Sequence, residues 1–195
     1  MVAFLLAAAP TSAQIPAATA AELQLMASQA AVIFSGQVTS VTREDAEGFV
    51  DIRFRVDQAV RGCPTAGFYV LREWVGLWAG GPDRYRVGQR RLMLLTARGP
   101  SGMSSPLGGQ DGAIPLLATG VAPIANAAGA APPDTALAPA ALAVDLRWIR
   151  ARAARSITSR TAAREITTQP TLADVFSLIQ RASAQAQTAV GDARY

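Results

Sequence analysis

FYVLREWVGLWAGGPDRYRVGQRRLMLLTARGPSGMSSPLGGQDGAIP, residues Phe68–Pro115, sets the reading of the whole chain. It holds two of the three Trp and two of the three Tyr. It parses as apolar strand, Gly-Gly-Pro turn, apolar strand, Gly-rich loop and short apolar return. Phe68–Trp74 and Leu92–Thr96 are the strand candidates, flanking the turn at Gly80, Gly81 and Pro82. A second break falls at Gly88, before Leu92-Met93-Leu94-Leu95. The expectation is a hairpin of these two strands, onto which further strands must pack, because an isolated hairpin is marginal in water.

Working outward, the strongest periodic signal is Phe49–Val60. Val50, Ile52, Phe54 and Val56 alternate with Asp51, Arg53, Arg55 and Asp57. Period-two alternation places one face on a core and the other in water. Ala31–Val41 is β-branched, with Gly36 marking a bulge or close crossing. With the polar turn Arg43–Gly48 between them, the two segments predict a hairpin. Glu44, Asp45 and Glu47 in that turn lack the spacing of a calcium loop, and a solvated turn is the favoured reading. Ahead of the strands, Ala20–Ala30 carries Leu23, Met26 and Ala30 at helical spacing, with Thr19 as a candidate N-cap.

Beyond Pro115 the composition changes. Leu116–Ala143 is rich in Ala, Pro and Gly, with Asp134 its only charge, and reads as a linker or covering segment. Ala143–Ile149 returns to alternation, with Val144, Leu146 and Trp148 on one side, and predicts a final strand. Arg150–Arg164 is a loop or a helix with a weak apolar face. From Thr171 a helix is expected, with Thr171 and Asp174 as a capping pair and Leu172, Val175, Phe176 and Ile179 as its apolar stripe to about Ala184. Residues 185–195 read as a disordered tail.

Composition narrows the chemistry. The 195 residues include no His and no Lys, all 18 basic residues are Arg, and the formal net charge is +4. Without His there is no Ser-His-Asp, Cys-His or His-bearing zinc site. Without Lys there is no P-loop, Schiff base or Ser-Lys dyad. A single Cys, Cys63, excludes an internal disulfide and cysteine-ligated clusters. It sits in a turn as a small filler. No cofactor or metal set is expected. Met1–Ala9 is an apolar run ending in Thr11-Ser12-Ala13, which predicts a signal peptide over residues 1–13, cleaved before Gln14, and an exported protein, periplasmic or extracellular, with no membrane span.

Predominantly short strands, a helix at each end and no βαβ rhythm predict a mainly β fold. The form expected is a small antiparallel OB-like barrel of five or six strands, with its core over residues 20–115 and a final strand and helix over 144–184. Phe34-Ser35-Gly36, Val60-Arg61-Gly62, Val87-Gly88-Gln89 and Gly108–Gly112 (GGQDG) carry a resemblance to uncharacterised exported bacterial proteins with an OB-like barrel. Those barrels are similar to the netrin-like module and the tissue inhibitors of metalloproteinases. The resemblance covers about Ala31–Pro115. The inhibitors act through a disulfide-held N-terminal Cys that this chain lacks, so it does not carry over protease inhibition.

Three functional readings follow. The first is a non-enzymatic binding module contacting an unknown protein or polysaccharide through the turn from Trp74 to Arg86. Trp74, Trp78 and Tyr85 would be a platform, with Arg84 and Arg86 supplying charge; the alternative for the rings is packing into the core. The second is a carboxylate-dependent hydrolase using Glu73, Asp83 and Asp111, for which Asp111 as a turn former and Glu73 paired to a neighbouring Arg are the simpler roles. The third is a nucleic-acid binder through Arg147–Arg164, which has six Arg and no acid.

Overall fold

A computed structural model describes residues 15–44, 47–78, 84–118, 142–156 and 169–181. In chain order these form α1 (Ala17–Gln29), β1 (Val32–Glu44), β2 (Phe49–Arg61), β3 (Phe68–Trp74), β4 (Arg90–Leu95), β5 (Ala113–Ala118), β6 (Leu142–Val144) and α2 (Arg147–Ser156). Residues 172–181 are helical and are called α3. Short 3-10 turns occupy Val75–Trp78 and Gly109–Gly112. The protein is mainly β: six strands form one antiparallel sheet in the order β3-β2-β1-β4-β5-β6.

The alternation of β2 translates directly into burial. Val50, Ile52 and Phe54 are fully buried and Val56 nearly so, while Arg53 is exposed. Its partner β1 shifts register between Ser35 and Gly36. A Cβ on Gly36 would come within 2.7 Å of the Arg55 carbonyl oxygen, so this crossing requires glycine. On the outer face Asp51 sits opposite Arg72 of β3 and accepts both its Nε and Nη2, at 2.8 and 2.7 Å. Exposed pairs of this kind contribute only about 0–1 kcal/mol.

The expected hairpin of β3 with the Leu92–Thr96 strand does not form. β3 pairs with β2, whereas β4 lies between β1 and β5. The reason lies in their side chains. β3 buries one face only (Tyr69, Leu71, Glu73), so an outer position suits it. β4 is apolar on both faces, with Leu92 and Leu94 in one core and Met93 and Leu95 in the other. A strand apolar on both faces belongs inside the sheet.

Neither end of the sheet is left open. Ser104 N–H donates to the Arg72 carbonyl at 2.9 Å and Arg98 Nη2 to that of Val70 at 2.7 Å, so the loop after β4 runs along β3. At the other end Ala143 bridges Thr171, and Val144 N–H donates to the Pro170 carbonyl at 2.9 Å. Covering edge strands in this way removes a template for intermolecular pairing.

Two cores result. One gathers α1, α2 and α3 against Ile33, Leu92, Leu94, Ile114, Leu116, Leu142 and Val144. The other is aromatic, built of Phe34, Phe54, Tyr69, Trp78 and Tyr85 with the aliphatic side chains of β1–β4. Phe54 meets Phe34 and Tyr85 edge-on, at centroid separations of 5.5 and 5.8 Å.

Three local expectations change. α1 starts at Ala17 rather than after Thr19, which is buried inside it. Pro16 precedes the first turn, its carbonyl accepting from Ala20 N–H at 2.9 Å. The final strand stops at Val144: Asp145 accepts the Arg147 N–H at 3.1 Å and starts α2, which turns Trp148 out to 61% exposure and buries Ile149. The basic segment begins as that helix, and its remainder over 157–164 lies outside the described residues. The third change concerns Trp74, expected as part of an open platform, whose indole lies where a Cβ on Gly76 would be. By contrast, Thr171 and Asp174 form the expected capping box, Thr171 N–H donating to Asp174 Oδ2 at 3.1 Å and Asp174 N–H to Thr171 Oγ1 at 3.2 Å. The predicted signal peptide, most of the linker and the C-terminal tail lie outside the described residues.

Candidate ligand-binding site

The Trp74–Arg86 region is organised around a buried carboxylate. Glu73 points inward from β3 and is fully buried. It accepts from Trp78 Nε1 at 3.2 Å, from Arg84 Nε and Nη2 at 3.1 and 3.3 Å, and from Tyr85 Oη at 3.4 Å. Arg84 is itself mostly enclosed, and the Gln110 side chain, with its oxygen turned toward it, accepts from all three guanidinium nitrogens at 2.8–3.2 Å. Burial holds the Glu73 carboxyl above its ordinary range, opposed by Arg84 and the Trp78 and Tyr85 donors. Burial, and after it the Glu73 charge, pushes Tyr85 well above the usual phenol range. Arg91 reaches the same group, with its guanidinium 5.4 Å from the Tyr85 ring centre and Nη2 on the Arg84 carbonyl at 3.3 Å.

This cluster fixes the roles of the predicted site residues. Trp78 and Tyr85 are buried, each spending its polar atom on Glu73, so they are walls and not an open platform. Trp74 is 59% exposed but covers Gly76. Arg84 is committed to Glu73 and Gln110. Arg86 is exposed. Of the three carboxylates, Glu73 is the hub and Asp111 accepts from Arg152 at 3.5 Å, the same arginine that pairs with Glu22. Asp83, with Gly80, Gly81 and Pro82, lies outside the described residues. Arg147, first of the basic segment, binds Asp145, holding that carboxylate below its ordinary range. Cys63 packs against the aromatic core, and burial raises its thiol to about 11.

Two hollows open on the outside of this region. A hollow of about 270 Å³ is lined by Val41, Arg43, Trp78, Tyr85, Arg86 and Val87. It unites three of the predicted contacts, with the Arg43 guanidinium 5.4 Å from the Trp78 ring centre. The second, of about 410 Å³, lies on the outer sheet face and includes Gln37, Thr39, Ser40, Arg53, Arg55, Phe68, Val87 and Gly88 in its lining. Val87, 67% exposed, borders both. The turn carrying it is tied to β1 by Gly88 N–H to the Val38 carbonyl and Val38 N–H to the Gln89 carbonyl, both at 2.8 Å, with Gly88 at φ 89°. Sequence reasoning read Arg53 and Arg55 only as a solvated face and missed the second hollow. The available signal was their alternation beside Phe68, whose ring centre lies 3.9 Å from the Arg53 guanidinium.

Among the described residues no group of three or more Cys, Asp or Glu side chains is placed to hold a metal ion, and no helix is long and apolar enough to cross a membrane. Comparison of the chain with protein-family models, curated proteins and solved structures finds no match.

Proposed function

We propose that the protein is an exported, non-enzymatic binding module whose ligand, a protein or a polysaccharide, is held at the hollow of Val41, Arg43, Trp78, Tyr85, Arg86 and Val87. The observation that carries this reading is that a rigid, hydrogen-bonded hub stands directly behind a concave surface rimmed by Arg86 and Val87. A preorganised wall loses little entropy on binding. A hydrolase reading gains from the raised Glu73 carboxyl, but that group is enclosed by its donors rather than presented to a substrate. The proposed barrel form and kinship with exported OB-like proteins agree with such a role.

The test is a screen of soluble glycans and surface proteins against the wild type, followed by Arg86→Ala, an exposed substitution that leaves the hub intact. Loss of partner binding in Arg86→Ala with an unchanged urea midpoint supports the hollow. Unchanged affinity for every partner found overturns it.

A further inference from the structure

The hollow walled by Trp78 and Tyr85 is chemically one-sided. Its lining side chains, those of Val41, Arg43, Trp78, Tyr85, Arg86 and Val87, present apolar surface and N–H donors. The one side-chain oxygen among them, Tyr85 Oη, is buried and donates to Glu73. Trp78 Nε1 is spent on the same carboxylate, and Arg43 is engaged with the Trp78 ring. Arg86 remains to meet a ligand: among the described residues its guanidinium has no hydrogen-bond or ion-pair partner. Its backbone is fixed from behind. Gln89 Oε1 accepts the Arg86 N–H at 3.1 Å, and the Gln89 N–H returns to the Arg86 carbonyl at 3.1 Å. The same Gln89 oxygen accepts Arg91 Nη2 at 3.2 Å. Among the described residues no carboxylate pairs with Arg91. Its other bonds go to the Ala113 and Arg84 carbonyls, at 2.8 and 3.3 Å, and its buried Nε has no partner. Glu73 is already matched by Arg84. The wall therefore carries net positive charge, from Arg91 beside Tyr85 and from Arg86 at the rim.

We propose that this hollow receives the carboxylate side chain of an acidic residue, flanked by apolar residues, on the surface of a partner protein. The inference rests on the binding-module reading above and names the partner's chemistry. An ionised carboxylate only accepts hydrogen bonds, so it matches a lining that only donates. Arginine adds a planar fork that meets a carboxylate with two parallel bonds. Val41 and Val87 offer apolar surface to the neighbouring side chains of the partner. A polysaccharide fits less well, because its hydroxyls donate as well as accept and find no open side-chain acceptor in this lining. The volume of about 270 Å³ is also that of a pocket for one or two side chains rather than a trough for several sugar rings.

The experiment follows the Trp78 indole N–H signal of the full, isotopically labelled chain by NMR. The probes are a blocked tripeptide with glutamate between two leucines, its glutamine counterpart, and maltotriose, each at low and high salt. Wild type and Arg86→Gln are compared, with urea midpoints confirming that both fold alike. The expected result is a Trp78 shift with the glutamate peptide that weakens with salt, and affinity about tenfold lower for the glutamine peptide. Arg86→Gln is expected to lose about tenfold in affinity for the glutamate peptide and little for the glutamine one. Equal binding of the two peptides overturns the carboxylate inference while leaving the hollow as the binding site. A shift with maltotriose that exceeds the glutamate peptide's replaces the ligand class with sugar. If the glutamate peptide leaves the signal unmoved at millimolar concentration, the carboxylate inference fails. The module reading then stands if a partner from the earlier screen depends on Arg86, and fails with it otherwise.

Discussion

The two sides of the sheet are built on different chemistry. The side covered by α1, α2 and α3 is almost wholly aliphatic, with Phe176 the one ring among its described core residues, and its buried carboxylates, Glu22 and Asp145, meet arginines that reach solvent, Arg152 and Arg147. The other side is aromatic and encloses a carboxylate. An aliphatic core needs only volume and tolerates hydrophobic exchange. A buried charge must keep all its partners, because any one removed leaves the others unpaired. The aromatic side is therefore the more exacting half, and it is the half that backs the candidate site.

Substitutions test that contrast. Glu73→Ala strands the Arg84 guanidinium together with the Trp78 and Tyr85 donors, and is expected to cost about 3–5 kcal/mol in urea unfolding. A cost near that of an exposed substitution would break the comparison. Phe54→Ala, in the same core, is also expected to cost about 3–5 kcal/mol. On the helix side, Leu172→Ala is expected to cost about 2–5 kcal/mol. The contrast sharpens with Leu172→Met, which should stay below about 1.5 kcal/mol because an aliphatic core repacks.

The two sides also titrate in opposite senses. Glu73, raised above its ordinary 4.5, binds its proton more readily in the folded chain. Its contribution is complete below pH 4.5 and is lost as pH rises through its folded value. Asp145, at the start of α2, is lowered below its ordinary 3.8 by Arg147. Its contribution is complete above pH 3.8 and is lost as pH falls through its folded value. Stability measured against pH should therefore lose its decline above 4.5 in Glu73→Gln and its decline below 3.8 in Asp145→Asn. Identical curves in wild type and both variants would show that neither carboxyl is perturbed.

Two smaller effects close the series. Thr171→Ala removes the α3 cap and should cost about 1 kcal/mol. Arg53→Ala should cost under about 1 kcal/mol, since Arg53 stacks on Phe68 outside both cores. A loss comparable to that of Phe54→Ala would mean that the outer face carries as much stability as the core.

Much of the fold is visible in the chain wherever local pattern decides it. The alternation of Phe49–Val60 reports a one-sided strand, and Thr171 with Asp174 reports a helix start, because both depend on neighbours in sequence. The site was legible only in part. Trp78, Tyr85 and Arg86 do meet at one hollow, but the first two are buried against Glu73, and nothing local announces an inward-facing Glu on a strand that carries Phe68, Val70, Arg72 and Trp74 on its outer face. Arg84 was marked as charge for a ligand, and the fold spends it on that carboxylate.

The sequence by itself determined a mainly β chain, which strands bury one face, where the capped helix begins, and which chemistries His, Lys and paired Cys would have supplied but cannot. Tertiary structure decided the rest. Four apolar residues in a row, Leu92–Leu95, carry no period, so only the arrival of helices on one face and aromatic rings on the other places β4 in the middle of the sheet. Likewise the hollow of Arg86 and Val87 exists because β1, the turn ending at Trp78 and the segment from Tyr85 to Val87 converge from distant parts of the chain. Contacts between residues far apart in sequence leave no local periodicity to read.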